Sequence, residues 1–159
     1  MQKRIAFIVG HENFGKSQTI RALKEMCGSR GRRIIIKNTE FLTRDASNDD
    51  RPRPYIKYMG KTRRTFIVAT LCPKFKALRT NSPDKAIDKT LQSLRQRGYE
   101  LFFWVIKHQW EAAGSNQVSR DEIKELGRYG TVRTLVDRNI DSKTRARRFR
   151  AFIEATALT

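Results

Sequence analysis

The chain has 159 residues, 38% of them hydrophobic, which suits a single globular domain spanning 1–159 with a core of its own. Its 34 Lys and Arg outnumber its 16 Asp and Glu, and the resulting net charge of +18 attracts polyanions such as nucleic acid, nucleotides or anionic membrane surfaces. The two cysteines show no CxxC or metal-binding pattern and favour a reducing, cytoplasmic location, and we expect neither a signal peptide nor a membrane-spanning helix.

The first forty residues predict a βαβ unit. Residues 3–9 form a short apolar run rich in branched side chains, which is typical of a buried parallel strand. Residues 17–27 place apolar side chains on one helical face and are followed by Gly28, a common helix stop. Residues 33–37 then predict a second strand, so strand, loop, helix and strand follow in order.

The middle of the chain predicts a loop, a hairpin and a helix. Residues 38–54 are polar and contain two prolines, which indicates a mobile loop at the strand-end side of the fold. Residues 55–59 and 65–71 flank Gly60-Lys61 and predict a hairpin whose second arm enters the sheet. Residues 82–97 predict a helix with Ser82 as its N-cap and Pro83 in its first turn.

The last third continues the alternation of strands and helices. Residues 99–106 are the most apolar stretch and predict a central strand. Ser119 and Glu122 form a capping-box pattern that predicts a short helix to residue 126. A strand over 131–136 and a helix from Asp141 or Ser142 complete the pattern. The fold class is therefore predicted as α/β, with three layers and a mostly parallel sheet.

One motif carries specific chemistry. Residues 10–17 read GHENFGKS and match GxxxxGK[ST] between the first strand and the first helix. Glycines at both ends let the backbone fold around a phosphate, and the helix that follows presents its positive end to the same group. Lys16 would reach the β- and γ-phosphates, and the Ser17 hydroxyl would coordinate Mg²⁺.

This motif resembles the Walker A sequence of the P-loop NTPase superfamily. The motif covers eight residues, while the compatible α/β pattern covers the whole chain. The resemblance implies a three-layer P-loop NTPase-like fold that binds ATP or GTP with Mg²⁺. The residues expected to contact the nucleotide are Gly10, His11, Glu12, Asn13, Phe14, Gly15, Lys16, Ser17 and Gln18. Within this set, the Glu12 carboxylate is expected to face solvent.

The acidic partner that P-loop enzymes usually carry on a neighbouring strand is missing. One predicted strand ends in Ala69, Thr70 and Leu71, and the next ends in Ile106, followed by Lys107. The segment MGKTRRTFIVAT lies where a small GTPase would carry its DxxG strand, and Lys107-His108-Gln109 does not reproduce the guanine-reading NKxD. The sequence therefore disfavours a working GTPase.

A kinase-like interpretation uses residues of the polar loop. Glu40 follows the second predicted strand, where some small-molecule kinases hold metal or acceptor, and it is a candidate metal ligand or base. Arg44 would bind an anionic acceptor through its guanidinium fork. Arg120 lies where a kinase lid would carry its arginine and would neutralise charge on the transferred group. Alternative metal ligands from the same loop are Asp45, Asp49 and Asp50.

Three hypotheses remain open from the sequence. The first is a small phosphotransferase that moves the γ-phosphate of the nucleotide to an anionic or nucleotide acceptor. The second is a nucleic-acid-associated NTPase or nucleotide-dependent binding module that grips phosphates through its basic surface. The third is a degenerate protein that binds nucleotide without turnover. The basic surface would come from Arg51, Arg53, Arg63 and Arg64 and, on the terminal helix, from Lys143, Arg145, Arg147, Arg148 and Arg150.

Overall fold

The computed structural model describes residues 2–109, 116–138 and 140–159. Six strands and five α-helices alternate along these residues: β1 Lys3–Val9, α1 Lys16–Met26, β2 Arg33–Ile36, β3 Thr39–Arg44, α2 Pro52–Lys61, β4 Phe66–Leu71, α3 Asp88–Gln96, β5 Tyr99–Ile106, α4 Arg120–Gly127, β6 Thr131–Leu135 and α5 Ser142–Ala155. Two 3₁₀ turns, Lys76–Leu78 and Pro83–Lys85, lie between β4 and α3. No helix within the described ranges has the length and apolar character to cross a membrane.

The strands form one sheet in the order β2-β3-β4-β1-β5-β6. β2 and β3 pair antiparallel, and every other neighbouring pair is parallel. β1 lies in the interior between β4 and β5, and its residues from Ile5 to Val9 are fully buried. Burial on both faces is what its continuous apolar run predicts. The predicted α/β class with a mostly parallel sheet is confirmed.

Helices flank the sheet on both sides. Residues 99 and 104 of β5 point to opposite faces because side chains alternate along a strand. Trp104 stacks on Phe149 of α5 with 5.4 Å between ring centroids, and α5 in turn packs on α1. On the other face, the Tyr99 hydroxyl donates to the Arg64 carbonyl at 2.7 Å, just beyond the end of α2.

The predicted hairpin arm over 55–59 is wrong, because these residues belong to helix α2. Pro52 occupies the first turn, where a missing N–H costs nothing. Tyr55 and Met59 are buried, one helical turn apart. The predicted helix over 82–97 begins only at Asp88, and Ser82 makes no side-chain cap, since the residues after it form a 3₁₀ turn.

The segment predicted as a mobile loop, 38–54, begins with strand β3. Lys37 and Asn38 both have left-handed backbone angles, φ 47° and 63°, as a tight turn between two antiparallel strands requires. The chain therefore reverses after β2. The residues that follow β2 lie at the amino edge of the parallel strands, whereas the residues that follow β1, β3, β4, β5 and β6 lie at the carboxyl edge.

Candidate functional site

Residues 10–17, here called the glycine loop, join β1 to α1 at the carboxyl edge of the sheet. Both terminal glycines are required by the fold. A Cβ on Gly10 would lie 2.9 Å from the Cβ of Phe14, and Gly15 has a left-handed φ of 83° as the N-cap of α1. The first turn of α1 contains no acidic residue and no side-chain cap. Its N–H groups are therefore not satisfied by a side chain of their own helix end.

Phe14 anchors this loop to the core. Its side chain is 1% exposed, and the His11 ring approaches it edge-on at 5.7 Å. Only the backbone of Phe14 is therefore placed to contact a ligand, although the sequence grouped the whole residue with the nucleotide-contacting set. Burial of this apolar ring fixes the position of the loop between its two glycines.

A cavity of about 640 Å³ opens above the glycine loop. It is lined by residues 12–18 together with Asp50, Gln109 and Arg145. The predicted contact residues Glu12, Asn13 and Gln18 are exposed at its wall, so the Glu12 carboxylate is open to solvent as well as to the cavity. Gly10 and His11 lie behind this wall, and His11 borders a neighbouring cavity of about 380 Å³.

Lys16 is a buried cation without an acidic partner. Its side chain is 8% exposed, its Nζ donates to the Gly10 carbonyl, and burial lowers its pKa. No ion pair within the described chain joins Lys16 to a carboxylate. An ammonium group held out of water in this way gains from any anion that enters the cavity.

The segment after β3 lies beside Ser17 and places a carboxylate at one side of the cavity. The Ser17 hydroxyl donates to the Asp45 carbonyl at 2.8 Å. The Asp50 carboxylate lines the cavity and accepts from the Ser47 amide at 3.1 Å. Asp49 is turned to ion pairs at 2.8 Å and 3.3 Å with two lysines, Lys74 and Lys85. Of the three alternative carboxylates, Asp50 is the one at the cavity.

Asn48 holds this segment in place. Its side-chain amide donates to the carbonyls of Cys72 and Lys85 at 2.9 Å and 2.8 Å, and its oxygen accepts from the Cys72 amide at 2.8 Å. The side chain is fully buried. The segment is therefore tied to the end of β4, contrary to the predicted mobile loop. Sequence reasoning missed Asn48, because nothing distinguishes it from other polar residues of the segment.

The structure does not bring Glu40 or Arg120 to the cavity. Glu40 pairs with Ile35 across the hairpin and lies 3.6 Å from Arg33, with its side chain exposed on the amino half of β3. The premise that Glu40 follows a strand at the carboxyl edge is wrong, because β2 is antiparallel. Arg120 is exposed in the first turn of α4 and does not line the cavity.

Arg44 lies in a second concavity, of about 770 Å³, beside α2. Its guanidinium stacks 4.1 Å above the ring of Tyr58. We call this surface the basic groove. Its lining contains no acidic residue and five cationic side chains, which are Arg44, Lys57, Lys61, Arg63 and Arg64. The other lining residues are Leu42, Pro54, Tyr58 and Thr62. Arg44 directly precedes Asp45, whose carbonyl accepts the Ser17 hydrogen bond. One residue of the basic groove, Arg44, is therefore adjacent in sequence to the residue that accepts a hydrogen bond from Ser17 of the glycine loop.

His11 belongs to a polar chain beside the loop. Its Nε2 lies 2.9 Å from Glu122, and its Nδ1 lies 3.7 Å from the Cys72 sulfur. Burial alone would lower the pKa of His11, but these two partners raise it to about 9, so the ring is cationic near neutral pH. Glu122 also closes the predicted capping box with Ser119, which is confirmed. No local pattern in the sequence indicates that Glu122 contacts His11.

Neither strand that pairs with β1 carries an acidic residue at its carboxyl end. β4 ends beside β1 in Ala69, Thr70 and Leu71, and β5 ends in Ile106. Thr70 is fully buried, and its hydroxyl has no hydrogen-bond partner among the described residues. Those residues also contain no cluster of three or more His, Cys, Asp or Glu side chains that would hold a metal unaided.

Comparisons with models of protein families, with curated proteins and with solved structures each returned no match.

Proposed function

We propose that the glycine loop is a P-loop and that the protein binds a nucleoside triphosphate, ATP or GTP, within a three-layer P-loop NTPase-like fold. The observation that carries the proposal is the buried, unpaired Lys16 in a cavity built on the first turn of α1. A phosphate would supply the negative charge that Lys16 lacks as a partner. It would also supply hydrogen-bond acceptors for the N–H groups at the amino end of α1. The two free thiols, Cys27 and Cys72, accord with the reducing, cytoplasmic compartment that we propose for it.

The position of the cavity in the sheet supports this proposal. The connection that leaves β1 leads through α1 to β2 at one edge of the sheet, and the connection that leaves β5 leads the opposite way to β6. Open α/β sheets bind ligands at the carboxyl ends of two neighbouring strands whose connections diverge in this manner. Gln109, which follows β5, and the glycine loop, which follows β1, line the same cavity.

The residues present also suit Mg²⁺. The Ser17 hydroxyl and the Asp50 carboxylate are hard oxygen donors at one side of the cavity. Magnesium commonly binds one or two carboxylates, with substrate phosphates and water completing its octahedron, so a large protein cluster is not needed. When bound, the ion would neutralise charge on the terminal phosphates. In this proposal Asp50 takes the place first predicted for Glu40.

We infer a phosphotransferase from the basic groove. Of the cations in the groove, Lys61, Arg63 and Arg64 precede β4 and lie towards the amino edge of the sheet, whereas Arg44, at the carboxyl end of β3, lies next to the segment that holds Ser17. An acceptor carrying phosphate or carboxylate would bind there, with its attacking oxygen turned towards the γ-phosphorus. The new P–O bond then forms as the bond to the leaving nucleoside diphosphate breaks. Catalysis of this kind needs positioning and charge more than covalent chemistry.

The second candidate function uses the same groove for nucleic acid. Five cations without an acid, on a chain of net charge +18, form a surface to which a phosphate backbone would bind without reading sequence. On this hypothesis the glycine loop acts as a nucleotide-dependent switch. The two functions differ in what the groove holds, a small anion or a polymer.

The test begins with Lys16→Ala and its matched control Lys24→Ala, at the far end of the same helix. Calorimetry with ATP and GTP should show affinity lost in the first variant by about 10- to 100-fold and unchanged in the second. Equal affinity in both variants would defeat the proposal. Incubation with labelled ATP or GTP, Mg²⁺ and mixed acceptors, with and without DNA or RNA, separates the functions. Transferred label indicates a kinase, free phosphate an NTPase, and retained but unchanged nucleotide a binding protein without turnover.

A further inference from the structure

Arg145 differs from the other arginines of α5. Arg148 and Arg150 are bound to acidic residues, Asp137 and Glu154 respectively. Arg145 is only 5% exposed, and no ion pair within the described ranges joins it to a carboxylate. The sequence grouped it with the basic surface of the helix, whereas the structure buries it. A largely buried guanidinium that makes no ion pair and faces a cavity is a favourable place for an anion.

The bonds that Arg145 does make orient its guanidinium. Its Nε donates to the Thr19 hydroxyl at 3.0 Å, and its Nη1 donates to the Ile140 carbonyl at 3.1 Å. The carboxylate next in sequence, Asp141, is engaged by the Thr144 amide at 2.7 Å as the cap of α5. Two neutral acceptors therefore fix the side chain, and Asp141 attracts its charge without forming an ion pair with it.

The remaining nitrogen points at the glycine loop. Nη2 of Arg145 makes no hydrogen bond with any residue that the structure describes, and Arg145 lines the cavity. A Cβ on Gly15 would lie 2.6 Å from Nη2. The guanidinium thus fills the space that a side chain at position 15 would take, at the amino end of α1.

The structure assigns Arg145 to phosphate binding: a phosphate of an oligophosphate in the cavity accepts from Nη2 while the glycine loop and Lys16 hold the rest of the chain. This assignment rests on the proposed function and adds a ligand contributed by α5. It makes the terminal helix part of the anion site rather than a basic face towards solvent. The ligand chemistry is an oligophosphate, supplied either by a nucleotide or by inorganic pyrophosphate.

The test compares Arg145→Met and Arg145→Lys with Arg147→Met, an exposed control on the same helix. Two quantities are measured for each variant: the melting temperature without ligand, and the dissociation constants for ATP and for inorganic pyrophosphate by calorimetry. Arg145→Met should weaken both ligands by about 10- to 100-fold, because it removes a charged hydrogen bond. Arg145→Lys keeps the charge without the fork and should fall between Met and the parent. The control should match the parent.

The melting temperature separates binding from a structural role. Removal of a buried cation that makes no ion pair offsets the loss of its two hydrogen bonds, so the melting temperature of the free protein should change little, while the stabilisation that each ligand adds becomes smaller. A lower melting temperature with unchanged dissociation constants in Arg145→Met would overturn the assignment, as would unchanged values of both. Weakened ATP with unchanged pyrophosphate would place Arg145 at the nucleoside and also overturn it. If Arg145→Met does not fold, the Lys variant decides by the same criteria.

Failure of the proposed function has a different signature. A parent protein that binds neither ATP nor pyrophosphate overturns both proposals. A parent that binds both ligands in a Lys16-dependent manner, with unchanged affinity in Arg145→Met, overturns the role of Arg145 alone.

Discussion

Asn48 offers a sharp test of how the site is held together. Its three side-chain hydrogen bonds, at 2.8–2.9 Å, join the segment after β3 to the end of β4 and to Lys85. The change Asn48→Ala removes all three and leaves the Cys72 amide and two carbonyls without these partners. The segment it releases carries Asp45 and Asp50, so both stability and ligand binding should suffer.

The magnitude follows from the burial of these groups. A buried donor or acceptor left unsatisfied costs about 1–3 kcal/mol, and water reaching the site recovers a part of that. We expect a loss of about 3–4 kcal/mol in the free energy of unfolding, a large share of the roughly 5–15 kcal/mol typical of a domain. For a chain of this size the melting temperature should fall by roughly 6–16 °C.

Denaturant titration and calorimetry measure both quantities. Asn81→Ala is the matched control, because Asn81 is exposed between β4 and α3 and should change stability by less than about 0.5 kcal/mol. Asn48→Asp keeps the acceptor for the Cys72 amide but loses both donated bonds, and it too should destabilise. If Asn48→Ala unfolds at the same denaturant concentration as Asn81→Ala, the reasoning about this anchor is refuted.

Charge changes elsewhere test the rest of the site. Glu122→Gln should flatten the pH dependence of stability by about 1–3 kcal/mol in denaturant titrations. The sign follows because the pKa of His11 is raised from 6.5 to about 9 while its partner lowers the pKa of Glu122 from 4.5, so the contribution of this pair to stability is full between pH 4.5 and 6.5, is lost as the pH rises through 9 and is lost again in acid as Glu122 is protonated. Asp50→Asn should weaken Mg²⁺-dependent triphosphate binding about tenfold by calorimetry, whereas Glu40→Gln should leave it unchanged. Arg44→Ala should lower the slope of log affinity for DNA or RNA against log salt by about one, and an unaltered slope would exclude a phosphate contact there.

The elements predicted correctly are those with a single dominant period. The apolar runs of β1 and β5 are buried strands, and the capping residues of α4 and α5 mark helix starts that the structure reproduces. The strand prediction for 55–59 is wrong because apolar residues four positions apart fit the period of a strand as well as that of a helix. Tyr55 and Met59 share a face in a strand as well as in a helix, and Pro52 and Pro54 obscured the choice.

The wrong prediction of a loop in place of β3 also led to a wrong prediction at the candidate site. The polar residues of the segment TEFLTR predict a loop, yet the side chains of Phe41 and Thr43 alternate inward with the period of a strand. Without β3 the hairpin was invisible, and Glu40 was assigned to the wrong edge of the sheet. The glycine loop itself was placed correctly between β1 and α1, because its pattern is local. Asn48 and Arg145 act through contacts distant in sequence, to which no local pattern points.

The central place of β1 has a consequence for how the protein is made. Arg4 pairs with Phe66 on one side and with Glu100 on the other, so an early strand finds its neighbours only far along the chain. Contacts of such long range delay folding, because loop closure must precede the pairing that rewards it. On a ribosome, the first strand emerges long before either partner and waits unpaired. The cavity above the glycine loop is therefore completed late in synthesis, after β5 has entered the sheet and α5 has packed on α1.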